Sequence, residues 1–144
     1  MIRIDFYVLK QQRYQQSLLY SCRLVNKAYE QQSKILINCN SLSETKLIDD
    51  LLWTHNDISF LPHSLFDKSN KYQESIPIII TPGFIPENFC GILINLHENP
   101  ALLSQNFSRI LELVPDEEPW KTQSRKKYSH YKEQGAELIL HEIK

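Results

Sequence analysis

Residues 34–38 read Lys-Ile-Leu-Ile-Asn, and this short apolar run decides the fold class of the chain. A strand with one face in water alternates apolar and polar side chains, whereas this run has three apolar residues in succession. Such continuity is typical of a strand covered on both faces, as in a parallel sheet between two layers of helices. The run therefore predicts an interior strand of an α/β protein.

Helical patterns lie on both sides of this strand. Upstream, four residues at the spacing i, i+4, i+7 and i+11 share one helix face: Leu18, Cys22, Val25 and Tyr29. Downstream, Ser41 and Glu44 have the S-x-x-E spacing of a capping box, which predicts that a helix begins there. The alternation of strand and helix favours a mainly parallel sheet.

The remaining patterns complete an α/β order. Further strands are predicted over residues 2–9, 77–81, 91–96 and 137–143. Asn99-Pro100 is typical of a helix start, and five apolar residues keep helical spacing behind it: Leu103, Phe107, Ile110, Leu111 and Val114. A last helix is predicted from Pro119 to Gly135. We therefore expect one α/β domain over residues 1–144, with a mainly parallel sheet flanked by helices.

A doubly wound sheet raises the question of a bound nucleotide. The first turn from strand to helix would then carry glycines that let the backbone approach a phosphate. Residues 9–14 contain no glycine, and the three glycines of the chain stand in no phosphate-binding motif. We therefore predict no nucleotide site and no other cofactor.

Motifs for catalysis and metal binding are also lacking. The five histidines are scattered, and neither H-E-x-x-H nor C-x-x-C occurs. Cys39 follows a strand, but without a glycine elbow it is predicted to be a small buried residue rather than a nucleophile. These patterns predict a protein that is not an enzyme and binds no metal.

Composition and cysteine usage indicate a cytoplasmic protein. No apolar run approaches the roughly 18 residues that cross a membrane, and the strand pattern that begins at residue 2 leaves no room for a signal peptide. The three cysteines are widely spaced, as free thiols in a reducing compartment are.

The basic segment, residues 119–132, concentrates positive charge on one predicted helix. It carries five of the 16 basic residues and no carboxylate, so the rest of the chain has 11 basic against 17 acidic residues. At 100° per residue, four of its side chains lie on one stripe: Lys121, Arg125, Tyr128 and Lys132. Such a helix is a candidate docking surface for an anion.

Two ligands compete for the basic segment. Val114, at the end of the preceding element, would place an apolar floor beside Arg125, which suits a peptide with an apolar last residue and a free carboxylate. Alternatively, the cations could neutralise phosphates of a single-stranded nucleic acid while Tyr128 or Tyr131 stacks a base. The net charge of −1 is a weak electrostatic footprint for nucleic acid, so the peptide ranks first.

A second candidate surface contains Trp53, Phe60 and Pro62. Aromatic residues of this kind either cap the core or form an exposed anchor for another protein, and the pattern leaves both uses open.

Taken together, three blocks of residues resemble the chi subunit family of bacterial DNA polymerase III. The blocks are Asp5-Phe6-Tyr7-Val8-Leu9, then Leu52-Trp53 with residues 59–63 (L-W-x6-F-x-P-H), then Val114-Pro115 with Arg125, Tyr128, Tyr131 and Gly135 (V-P-x9-R-x2-Y-x2-Y-x3-G). Their order and spacing cover essentially the full chain.

The resemblance implies a Rossmann-like fold without a nucleotide and a non-catalytic adaptor in DNA replication and repair. It implies that Trp53, Phe60 and Pro62 bind the psi subunit, or a repair helicase in its place. It also implies a site for the acidic C-terminal tail of single-stranded-DNA-binding protein, formed by Val114, Lys121, Arg125 and Tyr128. DNA would then be reached only indirectly. The roles of Trp120, Lys126 and Lys127 stay open.

Overall fold

The structure is a computed structural model that describes residues 2–54, 63–65, 77–86, 89–103 and 106–143, without the side chains of Trp53 and residues 63–65. Within these residues, the elements follow in the order β1 (Arg3–Leu9), α1 (Tyr14–Glu30), β2 (Ile35–Asn38), α2 (Leu42–Thr54), β3 (His63–Leu65), β4 (Ile78–Thr81), β5 (Gly91–Asn95), β6 (Phe107–Pro115), α3 (Trp120–Glu133) and β7 (Glu137–Ile143).

The described strands form one parallel sheet in the order β3-β4-β2-β5-β6-β1-β7. As predicted from its apolar run, β2 lies in the interior, and Ile37 pairs with Ile80 on one side and Ile94 on the other. All four residues of β2 are buried, because helices cover both faces of the sheet. The α/β prediction is confirmed.

The helices divide between the two faces. Leu18 and Val25 of α1 and Ile48 of α2 pack on the sheet in one apolar cluster, whereas Tyr131 of α3 packs with Phe6 in a second cluster on the other face. The start of α2 is capped as predicted, since the Glu44 N–H donates to Ser41 Oγ at 3.2 Å. Cys39 is fully buried, and burial raises the pKa of its thiol to about 12.

The prediction of a helix behind Asn99-Pro100 was wrong, because residues Phe107–Pro115 form the strand β6. This strand is covered on both faces: Leu111 and Leu113 belong to one apolar cluster and Ile110 to the other. Apolar residues on both faces of a strand produce spacings of three and four, which imitate the face of a helix. The correction places β6 between β5 and β1, under α3.

Candidate functional site

The turn before α3 is tied to the turn after β1. The Asp116 N–H donates to the Gln12 carbonyl at 2.7 Å, and Asp116 Oδ2 accepts from the Gln11 N–H at 3.1 Å. Glu117 Oε2 accepts from the Tyr14 N–H, at the start of α1, at 2.9 Å. These bonds fix where α3 begins, and therefore where its side chains lie over the sheet.

The underside of α3 is held by a buried polar cluster around Glu112. Lys127 Nζ lies 3.0 Å from Glu112 Oε1 and donates also to the His97 carbonyl. The Tyr131 hydroxyl donates to Glu112 Oε2 at 2.6 Å and accepts from the Ala101 N–H at 2.8 Å. Burial, and then the charge of Glu112, raise the pKa of Tyr131, so it stays a donor. We call Glu112, Lys127 and Tyr131 the Glu112 cluster.

A chain of hydrogen bonds continues from this cluster across the sheet. Asn95 Nδ2 donates to Glu112 Oε2 at 2.8 Å, Asn38 Nδ2 donates to Asn95 Oδ1 at 3.3 Å, and Thr81 Oγ1 donates to Asn38 Oδ1 at 3.1 Å. Asn95, Asn38 and Thr81 end the strands β5, β2 and β4. Open α/β sheets bind their ligands at this carboxyl edge, which here is filled by the protein's own side chains.

The crevice between α1 and α3 at this edge is correspondingly small. Tyr14 and Trp120 stack across it with ring centroids 4.3 Å apart, and Lys127 lines its base. The remaining cavity measures about 20 Å³, which is the space of roughly one water. This cavity is far smaller than a nucleotide.

Of the four residues of the predicted tail site, Lys121, Arg125 and Tyr128 lie along one flank of α3, and Val114 lies on β6. Val114 and Tyr128 are half-buried against the second apolar cluster, and the Tyr128 ring meets Phe6 edge-on at 5.5 Å. Arg125, one turn before Tyr128, is exposed. Lys121 lies 3.2 Å from Asp116, so part of its charge is neutralised.

The apolar floor that the sequence predicts beside Arg125 would extend beyond Val114. Val8 pairs with Val114 across β1 and β6, and Leu140 of β7 pairs with Phe6, so all of these side chains face α3. Leu140 is 57% exposed. The sequence did not indicate Val8 or Leu140, because the register between strands far apart in the chain becomes visible only in the fold.

The basic segment therefore presents fewer cations than its sequence suggests. Lys127 is buried and paired with Glu112. Arg125, Lys126 and Lys132 are exposed, and no ion pair of theirs occurs among the described residues. Trp120, whose role was open, stacks on Tyr14.

The comparisons with known proteins agree on one family. The model of the family described as DNA polymerase III chi subunit, HolC, matches residues 1–139. The chain belongs to the DNA polymerase III chi subunit family. It is 32% identical to DNA polymerase III subunit chi of Pseudomonas aeruginosa over 99% of this chain and 98% of the relative. It is 29% identical to the Haemophilus influenzae subunit over 85% of each chain.

A comparison with a solved structure bears on the fold of this chi-family chain and on nothing else. A crystal structure of T4 UvsW aligns with 99% of this chain and 41% of its own length, at a TM-score of 0.62 and 11% identity. At that identity the likeness concerns the arrangement of strands and helices.

The second surface that the chi resemblance implies lies largely outside the described residues. Residue 53 belongs to the last turn of α2, but the side chain of Trp53 is not described, and Phe60 and Pro62 fall in the gap before β3. Their assignment stays a prediction.

The described part of this chi-family chain contains no group of three His, Cys, Asp or Glu side chains that could hold a metal ion. It also contains no helix that is long and apolar enough to span a membrane.

Proposed function

We propose that this chi-family chain is a non-catalytic, cytoplasmic adaptor in DNA replication. Its α3 site, formed by Val114, Lys121, Arg125 and Tyr128, binds the acidic C-terminal tail of single-stranded-DNA-binding protein. The surface of Trp53, Phe60 and Pro62 binds the psi subunit of the clamp loader or a repair helicase. The observation that carries the proposal is the exposed Arg125 beside an apolar floor. DNA is then reached through the protein that coats it.

The chemistry of the α3 site suits the end of a peptide. A guanidinium group binds a carboxylate through two parallel hydrogen bonds, and Arg125 is exposed, with no ion pair to another described residue. The floor of Val8, Val114 and Leu140, with the Tyr128 ring at its side, would take an apolar last side chain. Lys121 and Lys132 would raise the association rate of an acidic segment by long-range attraction.

The alternative function, direct binding of a single-stranded nucleic acid by residues 119–132, has weaker support. Tyr131 is fully buried, so its ring is not available to stack a base. Lys127 is paired inside the protein and Lys121 lies against Asp116. Residues 119–132 therefore offer fewer cations and one ring fewer to a nucleic acid than their sequence suggests.

Amidation of the peptide's C-terminus tests the α3 proposal. An acidic peptide that ends in Pro-Phe with a free carboxylate is expected to bind at least tenfold more tightly than the same peptide amidated, because a charge-assisted hydrogen bond contributes about 1.5–3 kcal/mol. Calorimetric titration of the full chain measures both affinities. Equal affinities would show that Arg125 does not hold the terminal carboxylate.

Substitution of Trp53 tests the psi surface. Trp53→Ala is expected to weaken capture of the psi subunit by at least tenfold, since buried aromatic anchors dominate such interfaces at about 2 kcal/mol or more. Tail-peptide affinity should not change. Loss of both activities, with a lowered unfolding midpoint, would mean that Trp53 supports the core and not an interface.

A further inference from the structure

A second charged cluster lies on the sheet face opposite α3. Asp5 of β1 is fully buried, yet three cationic or potentially cationic side chains surround its carboxylate. Arg109 Nε donates to it at 2.6 Å, Arg3 donates through Nε at 3.2 Å and through its terminal nitrogen at 3.0 Å, and His141 Nε2 lies 2.7 Å away. We call Asp5, Arg3, Arg109 and His141 the Asp5 cluster. The proposed adaptor function does not use it.

The Asp5 cluster carries more positive charge than its own carboxylate neutralises. Burial alone would raise the pKa of Asp5, but hydrogen bonds from Arg109, His141 and Arg3 outweigh it and lower the pKa, so the carboxylate is charged. One negative charge therefore faces two guanidinium groups. Their side chains are 47% exposed for Arg3 and 29% for Arg109, and five N–H donors on each group exceed the bonds that Asp5 accepts.

The buried carboxylate also fixes where these guanidinium groups lie. A surface arginine loses rotamer freedom when it binds a ligand, and that loss lowers affinity. Arg3 and Arg109 are already held by Asp5, and Arg109 donates in addition to the Tyr7 hydroxyl at 3.1 Å. The cations are thus positioned before any ligand arrives.

Aromatic rings stand beside these cations. The His141 ring stacks on Tyr7 with centroids 4.7 Å apart, and the centroid of the Tyr20 ring of α1 lies 5.8 Å from that of Tyr7. Tyr7 is buried, whereas His141 and Tyr20 are half-exposed. Arg23, one turn after Tyr20, is exposed and adds a third cation near the rings.

On this face of β1, β6 and β7, the strand register places two acidic residues. Besides Asp5, Glu137 pairs with Arg3 across β1 and β7 and lies at the margin of the cluster. The face therefore carries three arginines, Arg3, Arg23 and Arg109, and two carboxylates, Asp5 and Glu137. It keeps an excess of positive charge.

We propose that this face, formed by the Asp5 cluster with Arg23, Tyr20 and His141, binds the backbone of a single-stranded nucleic acid. Arg3 and Arg109 contact a phosphate, for which the planar guanidinium fork is suited, while the rings of Tyr20 and His141 lie beside the bases. The α3 site differs, because its cation borders an aliphatic floor that fits a peptide end. The new surface adds a direct, weak contact to the indirect route through α3.

The test measures binding of a fluorescein-labelled oligothymidylate by anisotropy at low salt. The double variant R3Q/R23Q is expected to bind roughly fivefold more weakly, and each phosphate contact that it removes lowers the slope of log K against log salt by about 0.7. Both side chains are exposed, and Arg109 continues to pair with Asp5, so the fold is retained. K126Q is the matched control and should bind as the parent does.

Three results would overturn the proposal. The first is that oligothymidylate does not bind at low salt, and the second is that K126Q and R3Q/R23Q lose the same affinity. The third is that polyglutamate binds as tightly as oligothymidylate and that R3Q/R23Q weakens this binding too, which would assign the face to acidic polypeptides. The acidic peptide with a free carboxylate is measured in parallel and should bind R3Q/R23Q normally. Failure of the new surface is thereby distinguished from failure of the α3 site.

Discussion

Glu112→Gln is expected to lower the free energy of unfolding by about 3–5 kcal/mol, the cost of leaving a buried charge without its partner. Lys127 and Glu112 are 3.0 Å apart, with side chains only 7% and 1% exposed. The substitution removes the negative charge but not the volume, so the loss measures electrostatics rather than a cavity. Urea denaturation followed by circular dichroism gives the free energy, with the slope as a check on two-state behaviour.

Two further variants sharpen this measurement. In E112Q/K127M both charges are gone, and most of the lost stability should return, because replacing a whole buried pair by neutral groups is often tolerated. Glu142→Gln breaks a similar ion pair at the surface, where Glu142 lies 3.0 Å from Lys10, and should change stability by less than about 1 kcal/mol. A Glu112→Gln loss as small as that of Glu142→Gln would contradict the argument.

Arg125→Ala is expected to weaken binding of the free-carboxylate peptide by about 1.5–3 kcal/mol, roughly tenfold to a hundredfold in Kd. This loss is smaller than the loss of a buried charge pair, since Arg125 is exposed and lies at the rim of the site. The affinity of Arg125→Lys should lie between those of the parent protein and Arg125→Ala, because lysine keeps the charge but loses the planar fork. Calorimetric titration measures all three affinities.

Lys126→Ala is the control for this series. Lys126 is an exposed cation on the same helix, but it points to the opposite flank, away from Val114. Its loss should change affinity little, and the amidated peptide should bind parent and Arg125→Ala alike. Equal effects of the two substitutions would indicate general attraction by a basic helix instead of a carboxylate site.

Much of the fold could be predicted from local patterns. The apolar run of β2, the helical face of α1 and the turn signals around α3 each lie within a few residues of one another, so their meaning does not depend on distant parts of the chain. The exception is β6, where burial on both faces produced helical spacing. Only its neighbours in the sheet, β5 and β1, decide that this segment is extended.

The sequence could place only those residues of the proposed α3 site that share one helix. Arg125 and Tyr128 share a flank because of helical geometry alone. Lys127 looked equally available, but its partner Glu112 lies on a strand under the helix and removes it from the surface. Val8 and Leu140 join the floor through strand register, which no local pattern encodes.

The strand order also sets how the proposed adaptor would respond to a pulling force between two partners. Residue 53 lies in α2, which packs on β3 and β4 at one end of the sheet, and the α3 site lies over β6, β1 and β7 at the other. Six strand spacings of about 4.8 Å separate the outermost strands by about 29 Å. A force between partners held at the two ends would act along the hydrogen bonds between strands. It would peel the sheet open one strand at a time, starting from an edge, rather than shear all the pairs together.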